Sequence, residues 1–220
     1  MANFRTHLGF GVIFGITAAI LITFFSITKS LLVSFISFFC VLIGSFLPDV
    51  DVDTGTPFQI IFGFFSLLGS GLAVYYLIAN HMSDMKFLVG IPIITFIFIR
   101  IVVGNIFKKF TAHRGIWHSI PALLISMLAT LQIVNRFDLS IMDKMIISIS
   151  IGLGYLSHLI LDEVYSMVNI GGVPFKVKRS LGSALELFSK SKVATIFAYI
   201  ILLILLFLSY PIIITFIKGE

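Results

Sequence analysis

Charge is what this sequence has least of. Its 220 residues include 15 lysines and arginines and 10 aspartates and glutamates, 11% in all, where a water-soluble domain carries about 25%. That shortage excludes a water-facing globule, because too little polar surface exists to coat one. Cysteine is scarcer still. Cys40 stands alone inside an apolar run, so it forms no intrachain disulfide and is read as a packing residue. There are no low-complexity segments and no internal repeat. A cleavable leader is also not expected. Arg5 precedes apolar residues 8–27, but that run is too long for a signal h-region and lacks a small-residue cleavage site. It reads as a retained first helix.

What is present instead is hydrocarbon. Hydrophobic residues make up 59% of the chain, and the mean hydropathy is +1.13. Seven apolar segments recur, at 8–27, 30–47, 58–79, 87–107, 117–134, 144–162 and 193–217. Each is near the ~20 residues that cross a bilayer, and only helices satisfy their own backbone there. The expectation is an all-α, polytopic transmembrane bundle of about seven helices forming one domain over 1–220. The longest stretch between segments, 163–192, contains Gly171, Gly172 and Pro174 and reads as a basic loop. Within it, Leu181 to Phe188 has the composition of a short interfacial amphipathic helix.

The pI near 9.4 and net charge of +5 do not point to nucleic acid, because the basic residues sit in short loops between apolar segments. Seven crossings place Arg5, Lys108, Lys109, Arg114, Lys176, Lys178, Arg179, Lys190 and Lys192 on the face of the N-terminus. Lys29, Lys86, Arg136, Lys144 and Lys218 fall on the other. Nine against five makes the N-terminal face cytoplasmic by the positive-inside rule.

Three polar motifs stand out, and all fall on that same face. LPDVDVD supplies Asp49, Asp51 and Asp53; HRGIWHS supplies His113, Arg114, His118 and Ser119; SHLILD supplies His158 and Asp162. His7 joins them at the start of the first segment, leaving His81 as the one histidine elsewhere. His158 and Asp162 are i and i+4 on a helix, one turn apart on one side. Ionisable groups near a membrane interior are costly and are usually functional. Imidazole with carboxylate suits Zn²⁺, Mn²⁺ or Fe. Four histidines and three carboxylates exceed one tetrahedral zinc, so one or two divalent ions fit the count. The competing readings are solvated loop aspartates, strongest for Asp53, and a helix-end hydrogen-bonded pair for His158 and Asp162.

Arg100 lies about seven residues, roughly 10 Å, inside its segment, either snorkelling to the surface or pairing with a carboxylate or anionic substrate. Arg114 has the chemistry to clamp a phosphate. Ser119 and Ser157 read as helix-packing residues, and Trp117 as an interfacial anchor.

Taken together, LPDVD, HRGIWHS and GYLSHLILDEVYS, in this order with helical segments between, resemble the LexA-binding, inner-membrane-associated hydrolases, formerly a domain of unknown function. The resemblance runs from about His7 to near Ser183. It implies a bacterial inner-membrane, metal-dependent hydrolase. Its LPDxD maps to Asp49 and Asp51, its HRGxxHS to His113, Arg114, His118 and Ser119, and its SHxxxD to His158 and Asp162. Trp117 stands where a threonine is common, and Asp53 lies beyond the usual motif. The helical His-x-x-x-Asp is also distantly similar to the zinc-dependent phospholipase C and single-strand nuclease group, whose clustered metals cleave phosphodiesters.

These readings converge on a metal-dependent hydrolase acting on a phospholipid or lipid-linked ester or phosphoester at the cytoplasmic face. His7, Asp49, Asp51, His113, His118, His158 and Asp162 are the expected ligands. Asp53 or Glu163 is a candidate general base and Arg114 or Arg100 an anion-binding group, with Lys176, Lys178 and Arg179 holding acidic headgroups. Alternatives are a metal transporter or sensor, and a membrane interaction protein without chemistry. Transport is disfavoured because polar groups should then lie near the midplane, and here they gather at one end. Oligomeric state leaves no signature in the sequence.

Overall fold

The computed structural model describes residues 3–51, 55–111, 116–167, 185–188 and 191–219. The expected all-helical bundle is what the chain forms. Its helices are α1 (Phe4–Phe24), α2 (Leu31–Gly44), α3 (Thr56–Ala79), α4 (Met85–Ile97), α5 (Gly104–Thr111), α6 (Ile120–Val134), α7 (Ile141–Met167) and α8 (Lys192–Lys218). A π-helical segment, Phe98–Val103, makes α4 and α5 one continuous rod. Among the described residues this gives seven helices, with a 3₁₀ turn over Leu47–Asp51 following α2.

Local sequence sets the boundaries. Side chains of Asn3, Ser30, Asp84, Ser119 and Ser191 accept first-turn backbone N–H groups at five helix starts, satisfying donors that a helix leaves orphaned. Pro57 and Pro121 sit in first turns, where a missing N–H costs nothing. Gly219 closes α8 in the left-handed conformation.

Among the described residues, five helices are long and apolar enough to cross a membrane: Phe4–Phe24, Thr56–Ala79, Met85–Phe107, Ile141–Tyr165 and Lys192–Lys218. The segments expected at 30–47 and 117–134 are shorter helices, of 14 and 15 residues. At 1.5 Å per residue they reach about 21–22 Å, less than the ~30 Å hydrocarbon core. Pro48 disfavours helix in the residue before it, and Ser119 caps α6 only after His118. Conversely, α7 runs to Met167 and places Glu163 on the helix rather than in the loop. The interfacial helix expected up to Phe188 is not formed in its described part. There Glu186 makes a parallel bridge to Ser119, and its carbonyl accepts from the Ile120 N–H at 3.2 Å. That donor belongs to the first turn of α6 and has no partner within the helix.

The backbone groups into two compact units, Met1–Pro48 with His113–Glu220, and Asp49–Ala112. In the first, α7 is the central element, packed on α2, α6 and α1. Its apolar window is 67% buried, against 17% and 11% for those of α1 and α8. In the second unit, α3 packs along α4 and the π-helical segment, with Phe58, Phe62 and Phe107 clustered.

Candidate metal centre

Four polar side chains meet inside the first unit. Asn3 opens α1 by accepting from the Thr6 N–H at 2.9 Å, which puts His7 in the turn that follows, 1% exposed. His158 and Asp162 lie one turn apart on α7, also buried. His118 comes from the segment entering α6. All three imidazoles direct Nε2 at the Asp162 carboxylate: His7 lies 3.2 Å from Oδ1, and His118 and His158 each lie 3.7 Å from Oδ2.

The proton positions give this geometry its meaning. His158 Nδ1 lies 2.8 Å from the Ser45 carbonyl oxygen, which can only accept, so that partner assigns the proton to Nδ1. A neutral His158 then turns the lone pair of Nε2 towards a carboxylate oxygen. At 3.7 Å the two are too far apart for a direct hydrogen bond, a separation that a shared cation between them would span. His7 and His158 stack with centroids 3.6 Å apart and planes within 12°. The same donor set could hold a single divalent cation between the rings and the carboxylate.

The spacing fits such an ion. Ligand bonds of 2.0–2.1 Å in a tetrahedral zinc site put neighbouring donor atoms about 3.3 Å apart, and the observed separations of 3.2–3.7 Å bracket that value. Donor atoms of His7, His158 and Asp162 lie within 4.8 Å of one another.

The shell behind these groups is built from backbone. Ser45 is the C-cap of α2, and Pro48 stops the helix, so its carbonyl is left for His158. It reaches the ring because α2 and α7 cross with their main chains in contact. A Cβ on Gly44 would run into the carbonyl of Ile151, and one on Gly154 into that of Val41. On the other side, the fully buried Tyr155 donates its hydroxyl to the Trp117 carbonyl, tying α7 to the residue before His118. Residue 119 is then held by the Glu186 bridge. Sequence reasoning missed Ser45 and Tyr155. The signals available were the proline three residues beyond Ser45, and a tyrosine three residues before His158 on the same helical face.

The remaining candidates are placed as follows. Asp49 and Asp51 lie on the 3₁₀ turn and belong to the second unit. Glu163, half-buried, follows Asp162 on α7. Arg100 also belongs to the second unit, in the π-helical segment, where its Nη1 donates to the Gln59 carbonyl at 2.8 Å. Asp53, His113, Arg114, Lys176, Lys178 and Arg179 lie outside the described residues. His81, the fifth histidine, follows α3 in left-handed backbone, away from these motifs in sequence.

An all-helical protein with long apolar helices and a buried cluster of three histidines and one aspartate belongs among membrane proteins with a candidate metal centre. The chain is a member of the YdjM inner membrane protein family, whose model it matches over residues 1–218. No curated protein and no solved structure matches it.

Proposed function

We propose that this protein is a membrane-embedded, metal-dependent hydrolase whose substrate is a phospholipid or a lipid-linked ester or phosphoester. The observation that carries the reading is the convergence of three imidazole Nε2 atoms on one buried carboxylate at metal-ligand spacing. His7, His118, His158 and Asp162 hold the ion, with Zn²⁺ the best match and Mn²⁺ or Fe also compatible with the donors. LPDVD and HRGIWHS offer Asp49, Asp51 and His113 as further ligands on sequence grounds. A divalent metal held there supplies Lewis acidity to a phosphoryl or acyl oxygen and lowers the pKa of water. The chain's own residues do the rest. Ser45 fixes the His158 tautomer, Tyr155 fixes the approach of His118, and Glu163 is the nearest carboxylate in sequence to serve as base. Arg114 and the cluster at Lys176, Lys178 and Arg179 supply positive charge for an anionic headgroup. The nine-to-five basic-residue count supports a cytoplasmic face for this chemistry.

A second reading, a metal sensor without turnover, is favoured by one observation: four protein donors are enough to close a tetrahedral shell, as in structural zinc sites. Metal analysis of purified protein beside a His158→Ala, Asp162→Ala double variant tests the shared premise. Stoichiometric metal in the parent and loss in the variant are expected, and equal near-zero contents in both would sink it. Phospholipids and lipid-linked phosphates then separate the readings, since a sensor binds metal and turns over none of them.

A further inference from the structure

Between α6, α7 and α8 lies a cavity of about 170 Å³. Leu124, Met127 and Leu131 line it from α6, Met145 and Ile149 from α7, and Leu206 from α8. It exists because α8 packs along α6 while touching α7 only slightly. Its one polar side chain, Ser148, donates to the Met127 carbonyl at 2.7 Å, so the lining offers no set of polar partners for a water molecule. Apolar cavities of about 150 Å³ stay dry and accept hydrocarbon. Two methionines on facing helices add an adaptable wall, the kind that re-packs around varied apolar ligands.

Its position relative to the metal centre is set by two helices that carry both. On α6 the lining begins at Leu124, about 6 Å along the axis from the first helical residue, Ile120, and His118 lies two residues before that. On α7, Ile149 lies nine residues before His158, roughly 13–14 Å. The cavity is therefore displaced from the centre along the helix axes, in the direction an acyl chain takes from its headgroup.

We propose that this crevice is a slot for one hydrocarbon chain, that of the lipid whose headgroup the metal centre acts on. Its second half rests on the reading given under Proposed function; the chain slot itself does not. By volume the slot takes a segment of the chain about the bulk of a benzene ring. A water-soluble ester or phosphoester would leave it empty.

The test uses the full chain in vesicles of phosphatidylethanolamine and phosphatidylglycerol, doped with a phosphatidylglycerol carrying a diazirine midway along one acyl chain. Photolysis and peptide mapping should give adducts on the Met127 and Met145 peptides in excess of those at Phe207 and Val193. These two are 80% and 78% exposed and report the surrounding lipid. An excess of about tenfold corresponds to a preference of ~1.4 kcal/mol. Leu128→Trp, at a further lining position on α6, and separately the milder Met145→Phe, should bring slot labelling down to the lipid-facing level. On the unaltered protein, unlabelled long-chain fatty acid should compete at the slot and not at Phe207. Slot labelling equal to that of Phe207, unaffected by competitor, overturns the proposal whatever the variants do. Zinc content measured on the same samples keeps the two ideas apart. A metal-free chain that labels its slot defeats the metal reading alone, and a zinc-loaded chain without slot labelling defeats the slot alone.

Discussion

Asp162 carries the charge around which the centre is organised, and burial makes that charge expensive unless cations or donors surround it. Asp162→Asn keeps the shape and removes the charge. Metal affinity in a chelator competition should fall by more than about 100-fold, since the loss of outer-shell partners alone costs 10–100-fold. Tyr155→Phe acts at one remove. It strips the donor from the Trp117 carbonyl, and stability in a thermal melt should drop by about 1–3 kcal/mol with the fold retained. An unchanged melting temperature would show that His118 is positioned by other means. His7, His118, His158 and Asp162 were all legible from residue type and spacing, because ionisable side chains are conspicuous in an apolar background. The Ser45 carbonyl was not, because a backbone group carries no letter of its own. Nor did spacing reveal that His7 and His158 stack, since they lie on different helices.

Helix α7 is the least apolar of the five long helices and the most buried of them, so its polar side chains face protein instead of hydrocarbon. The contact that shields them, α2 against α7, depends on two absent side chains. Gly154→Ala should push α2 away from α7 and cost about 1–3 kcal/mol through overpacking. It should also weaken metal binding, because the Ser45 carbonyl moves with α2. Gly71→Ala on α3, where an added Cβ meets nothing within 4 Å, is the matched control and should leave both unchanged. Element type was readable from apolar run length throughout. Element ends were less so, and for identifiable reasons. Hydropathy continues through Phe46 and Leu47, whereas the helix stops at Gly44. The π-helical turn over Phe98–Val103 leaves no mark in composition, and it places Arg100 where it donates to Gln59.

The expected crossing pattern for the whole chain gives a topology that labelling can check. Single cysteines at position 178 and at position 136, in a Cys40→Ser background, should react with a membrane-impermeant reagent from opposite sides, position 178 from the cytoplasm. Labelling of both from one side would break the seven-crossing count on which the nine-to-five bias rests. The grouping of the chain into two compact units was not readable, because apolar composition is uniform across Asp49 to Ala112 and the rest. That the two chain-distant ends of one unit supply its polar groups was implicit only in the shared face.

That last arrangement bears on how the protein is made. His7 leaves the ribosome 155 residues before Asp162, an interval of roughly 8–30 s at ordinary synthesis rates. During that time His7 is without the carboxylate that it meets in the folded chain. The cluster closes only once α7 packs beside α1, so an ion held there would be absent from a chain released before α7. Retained metal would then distinguish finished molecules from abandoned ones.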